Sequence, residues 1–185
     1  VSRPPSDPGR SDPFAVLGVE ARFAIDPAAV RAAFRDRAAT MHPDRAADPA
    51  GRVRLARASA ELAEAQRVLL DPVRRGEALL ASLGGAATAT PPTGEFLVEM
   101  MELREGIDAA AGDRPRLDAI RLEVDDRFGL ACDRLAATLS ELVERGEAER
   151  SGGRRIAAEI LGVMRYLQRL RRAVDDASAD GGGTA

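Results

Sequence analysis

Trp and Lys are absent from this chain, Tyr, His and Cys occur once each, and aromatic residues make up only 3% of it. A core with so few rings must be built from Ala, Leu, Val, Ile and a few Phe, a palette that suits packed helices. The single thiol, Cys132, excludes an intramolecular disulfide and any zinc site made of several thiolates, so a reducing compartment is expected and no metal centre or cofactor is implied. Nowhere does an apolar run reach the ~18 residues that span a bilayer, and the first residues, Val1 to Asp12, are polar and Pro-rich with no apolar signal segment. Membrane and secretory readings therefore fail, and a cytoplasmic protein is expected. An overall positive charge is missing as well: the balance is −3 at neutral pH, which argues against non-specific nucleic-acid binding despite an Arg-rich composition.

What is present is helical periodicity. At roughly 150 residues per domain, a length of 185 allows one medium domain or two small ones. Residues 84–94 carry two prolines, three glycines and no charge before Glu95, the composition of a linker. The expected division is thus 11–83, a linker at 84–94 and a second unit at 95–177, with 1–10 and 178–185 as disordered ends. In the first unit, Asp12-Pro13 reads as a helix start and Gly18 as its stop, and Asp26-Pro27 repeats the start signal. Val30, Phe34, Ala38 and Met41 then form an apolar stripe that must end near His42, because Pro43 disfavours helical geometry before it. A second helix is expected from Arg52 to Leu70, making an antiparallel hairpin, followed by a shorter piece from Val73 to Leu83.

The second unit reads as three helices: Glu95 to Ala111, Pro115 to about Arg150, and one following a break at Ser151-Gly152-Gly153. Leu117, Ile120, Val124, Phe128, Ala131, Leu135 and Leu142 point inward on the middle helix. The last carries an alternating seam of Ile156, Ile160, Val163, Leu167, Leu170 and Val174. No segment alternates with period two for long enough to be a strand. The fold class is all-α.

Two surfaces stand out. His42-Pro43-Asp44 sits at the hairpin turn after a helix offering Arg31, Arg35 and Arg37; from Val30 to Arg45 there are four Arg against two Asp. Proline stiffens the loop, so a donor and a carboxylate are presented with little ordering entropy left to lose. A solvated loop lacks the pocket that acid–base catalysis by His42 would need, so no enzyme is expected. On the helix from Glu95, about 100° per residue places Phe96, Met100, Leu103 and Ile107 on an inward stripe. Leu97, Val98 and Met101 fall outside it, bordered by Glu102, Glu105 and Asp108. An apolar patch with an acidic border has the make-up of a protein-binding site, although packing against a neighbouring helix would use the same residues. Tyr166 adjoins the last helix's seam and is open to either role. Cys132 reads as a small packing side chain, and Arg171-Arg172 as a solvated turn complementing the helix dipole.

The order Asp12-Pro13-Phe14-Ala15-Val16-Leu17-Gly18, a helix, His42-Pro43-Asp44-Arg45, and a helix closed by Leu69-Leu70-Asp71-Pro72 resembles a J-domain. The stretch Glu95-Phe96-Leu97-Val98-Glu99-Met100-Met101-Glu102-Leu103-Arg104-Glu105 is similar to the opening of the C-terminal bundle of HscB-type iron–sulfur co-chaperones. That resemblance implies a J-domain hairpin followed by a three-helix bundle. It implies that His42, Pro43 and Asp44, with Arg31, Arg35 and Arg37, engage a DnaK/HscA-class chaperone and stimulate its ATPase. It further implies that Leu97, Val98, Met101, Glu102, Glu105 and Tyr166 bind the IscU-type scaffold. The alternative is a J-domain co-chaperone for a different client. Met41 stands where an aromatic often precedes the tripeptide. Gly106 and Ala109 also depart from the family pattern, Gly106 at a helix-propensity cost of about 1 kcal/mol.

Overall fold

The computed structural model describes residues 11–40, 48–85, 94–144 and 150–180. Within them the chain forms α1 (Pro13–Leu17), α2 (Pro27–Thr40), α3 (Pro49–Leu70), α4 (Pro72–Ser82), α5 (Glu95–Ala109), α6 (Arg114–Glu144) and α7 (Arg150–Asp180), with no strand among the described residues. The all-α expectation holds.

An Asp-Pro step opens each of the first four helices. Asp12 Oδ1 accepts from the Phe14 amide at 3.1 Å, Asp26 Oδ1 from Ala28 at 2.8 Å, and Asp48 Oδ1 from Gly51. Each cap satisfies an amide with no intrahelical partner and contributes about 1 kcal/mol. The expected start of α3 at Arg52 is corrected to Pro49, because Asp48-Pro49 repeats the Asp-Pro start signal three residues earlier. Asp71 does double duty: Oδ1 caps α4 by accepting from the Val73 and Arg74 amides, while Oδ2 accepts from Gln168 Nε2 of α7 at 3.0 Å.

Helices α2 and α3 pack as the expected hairpin around Val30, Leu62, Ala65 and Leu69, with Phe14 and Leu17 of α1 buried alongside. Gly18 closes α1 at φ 60°, a left-handed conformation that glycine adopts without a Cβ penalty, and any side chain there would overlap the Arg37 guanidinium. Among the described residues of this half, Arg75 is the buried charged one. Its guanidinium lies 5.0 Å over the Phe23 ring, and Nη1 donates to the Leu69 carbonyl at 2.7 Å, tying the α1–α2 loop to the end of α3.

Helices α5, α6 and α7 form the expected three-helix bundle. Arg121 pairs with Asp175 and Arg171 with Asp125, so α6 and α7 run antiparallel; Arg127 reaches Glu99 at 4.0 Å while Gly106 faces Ile120, so α5 opposes α6 and runs parallel to α7. Three details differ from the sequence reading. Ser151-Gly152-Gly153 is helical, forming the first turn of α7 rather than a break; a Cβ on Gly153 would stand 2.6 Å from Leu142 Cδ2, so glycine permits close approach to α6. Helix α7 continues to Asp180, making 178–180 helical instead of part of a disordered tail. Its buried apolar side chains are Ala157, Ala158, Ile160, Leu161, Met164, Leu167, Leu170 and Val174, whereas Ile156 is exposed and Val163 half-buried. A single seam is too narrow because α4, α5 and α6 all pack against α7.

The two halves meet at α4. A Cβ on Gly76 would stand 2.8 Å from Leu135 Cδ2 of α6 and 2.9 Å from Leu161 Cδ2 of α7, and Arg165 of α7 pairs with Glu77 at 2.6 Å. Backbone contact at Gly76 and polar links at Asp71–Gln168 and Glu77–Arg165 hold the hairpin unit against the bundle.

Candidate functional site

Helix α5 is buried on one side only. Met100 and Ile107 are 0% and 1% exposed, and Phe96 and Leu103 pack half-buried against the same core. One position away, Leu97, Val98 and Met101 are 38%, 57% and 53% exposed, with Glu102 and Glu105 also open to solvent. Neighbouring helices therefore leave this apolar group uncovered, which decides against the packing alternative. Gly106 does not interrupt α5, and a Cβ there would make only ordinary contact with Ile120 at 3.7 Å.

Tyr166 is half-buried on α7 and packs against the core. Ile107 and Ala173 line one groove between α5 and α7. Two turns back along these parallel helices are Met100 and Tyr166, so the ring lies level with the exposed group on α5.

His42, Pro43 and Asp44 lie outside the described residues. On the α2 helix that leads to them, Arg31 and Arg35 are exposed, while Arg37 is half-buried with its guanidinium over Gly18. Arg37 thus stands on a different side of α2 from the other two: six residues separate it from Arg31, about 120° away. It braces α1 against α2, and its charge sits beside the C-terminal carbonyls of α1.

The adjacent Arg171 and Arg172, which read alike in sequence, separate in the structure. Arg171 pairs with Asp125 at 2.6 Å and stacks 4.7 Å from the Phe128 ring centre. Arg172 instead lines the α5–α7 groove, a depression of about 640 Å³ bounded also by Arg104, Asp108 and Arg169. Sequence periodicity alone gives no sign of this groove, because its two walls are more than sixty residues apart.

Cys132 is half-buried; burial pushes its thiol up from the ordinary value, against a smaller opposing effect of the Arg75 guanidinium. Burial and this upward push both disfavour the reactive thiolate, so Cys132 should react with iodoacetamide at neutral pH several-fold more slowly than the same thiol in the urea-unfolded chain. Equal rates would contradict a packed, protonated side chain. Among the described residues, no group of three or more His, Cys, Asp or Glu is placed to hold a metal ion, and no helix is long and apolar enough to cross a membrane.

Residues 93–175 match the family described as the HSCB C-terminal oligomerisation domain. A co-chaperone protein HscB homolog of Bordetella parapertussis is 38% identical over 149 residues, covering 76% of this chain and 84% of the relative. The homolog of Burkholderia cenocepacia is 34% identical over 168 residues, covering 87% and 90%. Two solved structures share the fold at 22% identity and a TM-score of 0.76. They are chaperone HscB from Vibrio cholerae, with 91% of this chain and 98% of that one covered, and human co-chaperone protein HscB, with 93% and 84%. A J-domain hairpin followed by a helical bundle is the architecture here, and the chain belongs to the HscB family of co-chaperones.

Proposed function

We propose that the chain is a cytoplasmic adaptor that stimulates ATP hydrolysis by a DnaK/HscA-class chaperone and brings an IscU-type iron–sulfur scaffold to it, performing no chemistry itself. Residues 11–83 act as the J-domain, 84–94 as linker and 95–177 as the scaffold-binding unit. His42, Pro43 and Asp44 make the chaperone contact. Arg31 and Arg35 add charge complementarity to an acidic surface, and Arg37 holds α1 and α2 in register beneath them. Leu97, Val98 and Met101, rimmed by Glu102 and Glu105 and joined by Tyr166, receive the scaffold.

The observation that carries this reading is the exposure of Leu97, Val98 and Met101 beside the sealed Met100 on one short helix. Leaving three such side chains in water forgoes burial, at about 25 cal/mol per Å² of apolar area, that a partner can recover. Binding both partners on one body raises their effective concentration, so two weak contacts give a productive ternary complex.

Calorimetry with purified scaffold tests the site. Leu97→Ala with Met101→Ala is expected to weaken binding by about tenfold or more, as truncation of central apolar contacts does. Scaffold-independent stimulation of the chaperone should remain intact. Unchanged affinity would reject the site assignment.

A further inference from the structure

Positions 97, 101, 104 and 108 of α5 are spaced four, three and four residues apart, so Leu97, Met101, Arg104 and Asp108 share one face about 16 Å long. The lower half of that face lines the α5–α7 groove. On α7, Tyr166, Arg169 and Ala173 follow at three and four, and because α5 and α7 are parallel the two faces keep in step. The exposed apolar group and the arginine-lined groove are thus two ends of one continuous surface.

Its charges are unequal. Arg104 is offset by Asp108 at 3.3 Å, and elsewhere in the bundle Arg121, Arg127, Arg155, Arg165 and Arg171 each pair with an acid, whereas Arg114, Arg116 and Arg134 of α6 have no ion pair among the described residues but do not line this groove. Arg169 and Arg172 are exposed and have no ion-pair partner among the described residues. Two like charges three apart on a helix repel, and a ligand carboxylate between them would relieve that repulsion. The groove floor is apolar, from Ile107, Ala173 and Ala177, which lowers the local dielectric and strengthens such a contact. Guanidinium groups match carboxylates with paired, directional hydrogen bonds. Across α5 the balance tips the other way: Glu99, Glu102 and Glu123 outnumber Arg116 and Arg127 in the depression shared with α6.

We infer that the α5–α7 groove is the carboxylate-accepting half of the scaffold-binding face: Arg169 and Arg172 receive acidic side chains of the same scaffold segment whose apolar side chains meet Leu97, Met101 and Tyr166. This rests on the scaffold-binding reading above and adds an orientation. The acidic end of the bound segment lies toward the C-terminal end of α7, and Asp176, which also lines the groove one turn beyond Arg172, repels an acid placed further along.

The test is calorimetric titration of the full chain with scaffold at low and high salt. Arg169→Ala with Arg172→Ala is expected to weaken binding about tenfold at low salt, to flatten the salt dependence, and to leave the helical melt unchanged. Arg134→Ala, an exposed arginine on α6, is expected to alter neither. If the Arg169/Arg172 pair behaves as wild type while Leu97→Ala with Met101→Ala weakens binding, the carboxylate half is overturned and the apolar face stands. If neither pair matters, both fall. A loss as large for Arg134→Ala would reduce the effect to net charge and overturn the inference.

Discussion

Replacing His42 by Gln is expected to return the partner chaperone's single-turnover ATPase to its unstimulated rate while scaffold affinity, by calorimetry, stays at the wild-type value. Glutamine keeps a polar side chain of similar reach but cannot offer an imidazole's paired ring nitrogens. Folding should survive, because the described core of the hairpin is Val30, Leu62, Ala65 and Leu69 with Phe14 and Leu17, none of which the substitution touches. Scaffold binding should survive because α5 presents Leu97 and Met101 from the other half of the molecule. Reversing Arg31 and Arg35 to Glu should give a graded loss instead. Exposed rim charges mainly set the encounter rate, so stimulation should fall severalfold at low salt and the difference should shrink as salt is raised. Equal stimulation by the His42→Gln variant and wild type would remove the J-domain half of the proposal.

Sequence periodicity made part of this molecule legible and hid the rest for identifiable reasons. Caps are local chemistry, so Asp12-Pro13 and Asp26-Pro27 announce α1 and α2 without reference to anything distant. Asp48-Pro49 carries the same information but comes only four residues after His42-Pro43-Asp44, so the sequence reading starts the helix later, at Arg52. The inward stripe of α5 could be read because one face of a helix needs covering, and Leu97, Val98 and Met101 follow as the remainder. Helix α7 resisted because three helices cover it, so its buried arc exceeds one seam and includes Ala157, Leu161 and Met164. Gly152-Gly153 reads as a break on propensity alone. Tertiary packing overrides that local preference, since Leu142 occupies the space a side chain at 153 would need. Arg37 and Arg172 belong to the same class: which way a long cation turns is set by what stands beside it, Gly18 for one and a groove for the other.

Two glycine substitutions should move stability in opposite directions, and the contrast isolates the contact between the two halves. Gly129 lies within α6, and a Cβ there meets nothing within 4 Å. Gly129→Ala should therefore gain the helix-propensity difference of about 0.5–1 kcal/mol. Gly76 lies within α4, where a Cβ would press on Leu135, Leu161 and the Phe23 ring at 2.8, 2.9 and 3.4 Å. Two of these neighbours are flexible tips, so Gly76→Ala costs only what their displacement requires. Gly76→Val adds two more carbons at a point walled by three elements, and overpacking of that kind costs about 3 kcal/mol. At about 2–4 °C per kcal/mol for a chain of this size, the midpoint should fall by about 6–12 °C for Gly76→Val and rise by about 1–4 °C for Gly129→Ala. The Gly76 lesion also acts on function through geometry: pushing α4 away from α6 and α7 loosens the Asp71–Gln168 and Glu77–Arg165 links. Each partner should still bind Gly76→Val alone with near wild-type affinity. The extra chaperone stimulation that scaffold provides should be reduced, because tethering loses effective concentration when the connecting body becomes loose. Thermal melts and ATPase assays with and without scaffold measure both effects; a Gly76→Val protein as stable as wild type would mean that α4 is not wedged against the bundle at this residue.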